Sequence, residues 1–156
     1  MEDSKKIITR AVFGHINQTF RNTVNIAINE EDKDIDILGC KISGAKVLRS
    51  SIEGYDGKSK KVKVDLSFGI HVWYKSKDDT RISKVNAVLT DIIDIEKQGT
   101  EDFSHEDVYV WIRGTPKCIG KPVVIEAEEN MVAVQIEYML EAEVIGQTVI
   151  NVKVFE

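Results

Sequence analysis

Residues 61 to 74, KVKVDLSFGIHVWY, alternate between apolar and polar side chains more regularly than any other part of this chain. The apolar side chains occupy the even positions, namely Val62, Val64, Leu66, Phe68, Ile70 and Val72. A period of two places one row of side chains in a core and the other in water, so the stretch predicts a half-buried β-strand. Trp73 breaks the pattern, because it places a large apolar side chain on the row that should face water.

The rest of the chain repeats this alternation in shorter stretches separated by turn residues. The stretches are residues 38–42, 85–89, 108–112, 132–140 and 148–154. Asp56-Gly57 is a strong hairpin signal, and Gly146-Gln147 suggests a turn between the last two stretches. Many strands at short spacing predict an all-β fold, an antiparallel β-sandwich or a barrel-like sheet. At 156 residues we expect a single domain over residues 1–156.

Two local features of this fold stay open. The first residues, DSKKIITRAV at 3–12, fit either one short N-terminal helix or an edge strand. A strand over residues 61–74 would be about 45 Å long, so we expect it to bend near Gly69 or to cross between two sheets. Gly39 and Gly44 indicate bulges or close backbone approach.

Charge and hydropathy exclude several classes of function. The formal net charge is −5, and no basic cluster outweighs the neighbouring acids, so we expect no nucleic-acid partner. No apolar run has the length of a membrane-spanning helix, and the first residues, MEDSKKII, lack the apolar segment of a secretory signal. We therefore expect synthesis in the cytoplasm and no membrane partner.

The residue types that carry chemistry are scattered. His15, His71 and His105 have no partner at metal-ligand spacing, and the acidic pairs lie in predicted turns. No phosphate-binding glycine loop and no nucleophile elbow occurs. The sequence predicts a protein that is not an enzyme, with no catalytic residue, no metal site and no cofactor.

Two cysteines, Cys40 and Cys118, are too few for a disulfide framework. The simplest interpretation is a chain made in a reducing compartment, where Cys40 is a small buried thiol on its strand. Cys118, in a TPKC turn, is the better candidate for exposure and for a cross-link. A bridge between the two, or between chains, would require a later oxidising setting.

Four aromatic residues are the candidate interaction residues: Trp73, Tyr74, Tyr109 and Trp111. Trp73 and Trp111 fall on the row opposite the core, and Tyr109 shares the face of Trp111. Cover within the domain is one explanation. An exposed contact patch is another, because Trp and Tyr are enriched at interface hot spots. Stacking on sugars is a third.

Six short motifs, in order, resemble the CotE family of spore coat morphogenetic proteins. They are IITRAV at 7–12, ILGC at 37–40, HVWYKSKDDTRI at 71–82, TDII at 90–93, TPKC at 115–118 and EAEVIGQT at 141–148. The third, with VWY followed by a charged turn and a threonine, is the most distinctive.

The resemblance implies a non-enzymatic scaffold of the bacterial endospore coat that associates with itself as a homo-oligomer. It implies synthesis in the mother-cell cytoplasm, docking on a coat basement-layer ATPase, and recruitment of outer coat proteins to the spore coat. Family members commonly carry a long acidic C-terminal tail used in recruitment. This sequence ends at Phe155-Glu156, so we expect a narrower role in that step.

Two other functions compete with the scaffold. A carbohydrate- or peptidoglycan-binding β module would use the same aromatic residues as stacking platforms. A redox-responsive cross-linking protein would act through Cys118.

Overall fold

The computed structural model describes residues 3–28, 35–56, 58–125 and 130–154. Two features singled out above lie outside these residues: Gly57 of the predicted hairpin turn and the last two residues, Phe155-Glu156. Residues 56 and 59 nevertheless pair across an antiparallel ladder, which confirms a hairpin at that place.

Seven strands account for nearly all of the described residues. They are β1 Asp3–Ala27, β2 Ile35–Asp56, β3 Ser59–Ser76, β4 Asp79–Glu96, β5 Ser104–Cys118, β6 Val123–Val124 and β7 Met131–Val154. No helix occurs in the part of the chain that the structure describes, and therefore none that could cross a membrane. The all-β prediction is confirmed.

The N-terminal stretch is an edge strand, so the option of a short helix there is wrong. Residues 3–12 pair residue by residue with 145–154 of β7, which places Ile7 opposite Ile150 and Ile8 opposite Val149. Helical spacing of apolar residues is a weak local signal, and pairing with a distant strand overrides it.

The strands form two antiparallel sheets that pack face to face. Sheet I has the order β1-β7-β5, with β6 also paired to β7. Sheet II has the order β2-β3-β4 and consists of two consecutive hairpins. The described residues contain no ladder between the two sheets, so the sandwich alternative is confirmed.

The core lies between the two central strands, β3 and β7. Their inward rows have no exposed surface at twelve positions: Val62, Val64, Leu66, Phe68, Ile70, Val72, Val132, Val134, Ile136, Leu140, Ala142 and Val144. Burying each of the larger of these side chains contributes roughly 1.5–3 kcal/mol. The even-numbered core row read from residues 61–74 is thus confirmed.

β3 stays in sheet II over its whole length and does not cross between sheets. Its register with β4 is unbroken, and the four irregularities of its ladder with β2 lie on β2. They fall between residues 37 and 39, 43 and 46, 47 and 49, and 52 and 54. Gly69 marks a close backbone approach, since a Cβ there would lie 2.9 Å from the carbonyl oxygen of Ser43. The bulges expected at Gly39 and Gly44 are confirmed.

β7 runs without interruption through Gly146, so the predicted Gly146-Gln147 turn is wrong. Gly146 pairs with Ala11, and its missing side chain leaves room for Phe103 and Glu106. A Cβ at Gly146 would lie 3.0 Å from Cγ of Glu106 and 3.1 Å from Cδ1 of Phe103. Glycine serves here as a contact point inside a strand.

A disulfide joins the two sheets at one side of the sandwich. β2 of sheet II lies next to β5 of sheet I, and Cys40 of β2 is bonded to Cys118 at the end of β5. Their Cα atoms are 6.4 Å apart. The interpretation of Cys40 as a small buried thiol is wrong, because its sulfur is bonded to Cys118. The two residues are 78 positions apart, and the order of the strands, which local sequence does not show, decides which strand edges meet.

Candidate interaction surfaces

The structure places the four candidate aromatic residues in three different environments. Trp73 lies on the outer face of sheet II, whereas Tyr109 and Trp111 lie on the outer face of sheet I. Tyr74 is 5% exposed and belongs to the core. We therefore leave Tyr74 out of the contact set, since it follows the inward row of β3 while Trp73 follows the outward row.

Trp73 lies opposite a glycine in the register of sheet II. The register of sheet II puts it directly opposite Gly39 of β2 and Ile82 of β4. The indole does not cover Gly39, since a Cβ built on that glycine would meet no atom within 4 Å. The ring of Trp73 lies 6.3 Å from the ring of His71 on the same strand. Trp73 is half-buried and Ile82 is 42% exposed, so the pair leaves part of its apolar surface in water.

Tyr109, Trp111 and Met139 form what we call the aromatic patch, on the outer face of sheet I. Their exposed fractions are 50%, 37% and 39%. The two aromatic residues are two positions apart on β5 and therefore lie on one face, and Met139 is on the neighbouring strand β7. Tyr, Trp and Met are residue types that protein interfaces favour.

Glu141 orients one residue of the patch, Trp111. Its carboxylate accepts hydrogen bonds from Nε1 of Trp111 at 3.0 Å and is 2.7 Å from Nε2 of His15 and 2.8 Å from Nη1 of Arg113. These groups come from all three long strands of sheet I, with β7 in the centre. The hydrogen bond to His15, followed by the charges of Arg113 and His15, lowers the pKa of Glu141 despite the opposing effect of burial.

A second glutamate of β7 repeats this arrangement. Glu137 lies 2.7 Å from Nε of Arg21 on β1 and 3.7 Å from Nζ of Lys117 on β5. The lowered pKa of Glu141 makes that carboxylate a poor proton carrier near neutral pH, because a general acid or base needs a pKa close to the working pH. The outer face of sheet I is suited to fixing the orientation of side chains.

Sequence reasoning found Trp111 and Tyr109 but missed Glu141. The contact between Glu141 and His15 spans 126 residues and depends on β7 lying between β1 and β5. The only signal in the sequence is parity: Glu141 belongs to the outward row of β7, opposite the row of Leu140 and Ala142.

A polar group inside the sandwich was also missed. Tyr138 projects from β7 towards sheet II and donates a short hydrogen bond to Asp91 of β4. Asn22 of β1 donates to the Tyr138 hydroxyl at 2.7 Å. Burial, and then the hydrogen bond to Asp91, raise the pKa of Tyr138. The group is satisfied internally and stabilises the side of the sandwich where β1 meets β4.

No group of three or more potential metal ligands exists within residues 3–28, 35–56, 58–125 and 130–154. An open groove lies between β1 and the end of β4. Two of the charged residues that line it, Lys61 and Asp94, form an ion pair at 3.2 Å. Cys118, the predicted cross-linking residue, is bonded to Cys40 of the same chain.

A comparison with protein families matches residues 3–156 to the CotE model, described as outer spore coat protein E. The match covers essentially the whole chain. No curated protein and no solved structure matches.

Proposed function

This chain belongs to the CotE family of outer spore coat proteins, and from that premise we propose that it is a non-enzymatic scaffold of the coat. In this role it associates with copies of itself and with other coat proteins, including outer coat proteins and the basement-layer ATPase implied by the family. The aromatic patch is the observation that carries the proposal.

Two properties of the patch support a contact role. Trp111 and Tyr109 keep a third to a half of their surface exposed. The hydrogen bond to Glu141 fixes the indole of Trp111, so little side-chain entropy is lost when a partner covers it. Aromatic residues that are rigid and partly exposed are the usual anchors of protein interfaces.

The disulfide fits a protein that works outside a reducing compartment. We propose that the chain is made in the mother-cell cytoplasm with both thiols reduced, and that the Cys40–Cys118 bond forms in the assembled coat. The bond then fixes the two sheets of each subunit relative to each other.

The test is light scattering coupled to size exclusion over a wide range of protein concentration. We expect the wild type to form multimers larger than a dimer as concentration rises, and Trp111→Ala to abolish these larger multimers. Val88→Ala, which removes a side chain 62% exposed on the outer face of sheet II, is the matched control and should leave assembly unchanged.

Circular dichroism and urea unfolding show whether each variant keeps its fold. A wild-type protein that stays monomeric at every concentration contradicts the scaffold. Retention on cortex or cell-wall polysaccharide that disappears in Trp111→Ala would instead support the carbohydrate-binding alternative, in which Tyr109 and Trp111 stack on sugar rings.

A further inference from the structure

β1 and β7 continue past the end of the β5 ladder as a pair of strands, which we call the terminal ribbon: residues 3–10 of β1 and 147–154 of β7. The ladder between β5 and β7 stops with Ser104 opposite Gln147. Among the described residues, no third strand pairs with the ribbon beyond that point.

The ribbon exposes apolar side chains on both of its faces. Ile7 and Ile150 pair on the face that continues the core row, and they are 44% and 41% exposed. Ile8 and Val149 pair on the other face, and they are 71% and 53% exposed. A pair of strands with exposed apolar side chains is only marginally stable in water, so pairing with a further strand would stabilise the ribbon.

The two edges of the ribbon differ in charge. The β1 edge carries Lys5, Lys6 and Arg10, and charged residues on an edge strand hinder pairing with another chain. The β7 edge reads TVINVKV over 148–154, with Lys153 as its single charge and no proline or glycine. Five of its seven residues are β-branched, a composition that favours strand association.

We propose that the β7 edge of the terminal ribbon pairs antiparallel with the same edge of a second copy of this chain, about a two-fold axis at Asn151. This register sets Ile150 against Val152, Val149 against Lys153, and Asn151 against its own counterpart. No like charges oppose each other, whereas pairing through the β1 edge would bring two sets of Lys5 and Lys6 into one sheet.

The antiparallel arrangement also leaves room for both subunits. Each sandwich lies at the 147 end of its ribbon, so the two sandwiches fall at opposite ends of the joined ribbons and leave the edges accessible. The result is a four-stranded sheet in the order β1-β7-β7-β1. The lysine-bearing β1 strands form the two outer edges of this sheet. Their charges hinder the addition of further strands, so the assembly closes as a dimer.

This inference rests on the proposed scaffold function and supplies its first assembly step. The decisive variant is Asn151→Glu. In the monomer Asn151 lies opposite Lys6, so the new carboxylate meets a cation and the ribbon is preserved. In the dimer two carboxylates meet at the axis, and we expect dimerisation to weaken roughly tenfold or more at low salt.

Ser4→Glu is the matched control, because it adds the same charge to the same ribbon on the β1 strand, opposite Lys153. Its dimer dissociation constant should equal that of the wild type. As a positive test, Asn151→Cys should give covalent dimers on mild oxidation, whereas Ser4→Cys should not, since only the residue at the axis meets itself.

Sedimentation equilibrium separates the two hypotheses. A wild-type dimer that Asn151→Glu weakens, and that Trp111→Ala leaves intact, supports the edge pairing. A wild-type dimer with the same dissociation constant in Asn151→Glu overturns the edge pairing and leaves the scaffold standing. A wild type that is monomeric throughout overturns both.

Discussion

At the scale of single residues, the interior of this sandwich combines an apolar majority with a hydrogen-bonded polar group. Tyr138 lies among apolar neighbours, with its ring 4.9 Å from the ring of Phe68. Its hydroxyl is satisfied by Asp91 and Asn22, from β4 and β1. Such a group favours one alignment of the two sheets, because a shift would leave a buried carboxylate without its donor.

We expect Tyr138→Phe to lower the free energy of unfolding by about 1–3 kcal/mol, because Asp91 loses its principal donor in a site that is largely excluded from water. Tyr109→Phe removes the same hydroxyl from a side chain that is 50% exposed, and it should change stability by less than about 0.5 kcal/mol. Urea unfolding followed by circular dichroism measures both. Equal losses in the two variants would contradict a specific role for the buried group.

Much of the residue-level pattern follows from the sequence, and some of it does not. The inward rows of β3 and β7 and the outward position of Trp73 follow from parity alone, because successive strand residues face opposite ways. Parity also assigns Tyr74 to the core. The partners of Tyr138 and Cys40 do not follow, because they depend on which strands are neighbours, and local pattern carries no information about strand order.

At the scale of elements, sheet I is held together by its outer face as well as by its core. Glu141 in the central strand binds His15 of β1 and Trp111 and Arg113 of β5. β7 then continues unbroken through Gly146, where local sequence predicted a turn. The residues that press against Gly146, Phe103 and Glu106, belong to a segment 40 residues earlier in the chain, which is why the local signal was misleading.

The lowered pKa of Glu141 makes the stability of sheet I depend on pH. Since the folded-state pKa lies below the usual value of 4.5, the stabilisation is present above that value and is lost as pH falls through the lowered pKa. Below about pH 4.5, we expect the unfolding free energy of Glu141→Gln to fall less steeply with decreasing pH than that of the wild type. Urea titrations between pH 3 and pH 7 measure this slope. An unchanged slope in the variant would show that protonation of Glu141 does not weaken its contacts.

At the scale of the whole molecule, the two sheets are connected through the core, through neighbouring edges and through one covalent bond. The disulfide lies where β2 and β5 meet, at the side opposite the contact between β1 and β4. It closes a loop of 78 residues, which includes all of β3 and β4. A loop of this size greatly restricts the unfolded chain, so the bond should contribute substantially to stability.

We expect the double variant Cys40→Ala/Cys118→Ala to fold and to lose roughly 2–4 kcal/mol of unfolding free energy, since the apolar core between β3 and β7 remains. Reduction of the wild type with dithiothreitol should give the same loss, and the same treatment should leave the double variant unchanged. If the oxidised wild type and the double variant unfold at the same urea concentration, the bond does not contribute to stability.

The disulfide has a further consequence for how the chain responds to proteases. A single cut at any peptide bond between Cys40 and Cys118 divides the backbone but liberates no fragment, because both pieces remain joined through sulfur. The connecting segment 97–103, which forms no strand, lies within that span. A chain cut once in this segment would stay in one covalent piece until a reductant broke the disulfide, so a single hydrolysis there would not separate its two parts.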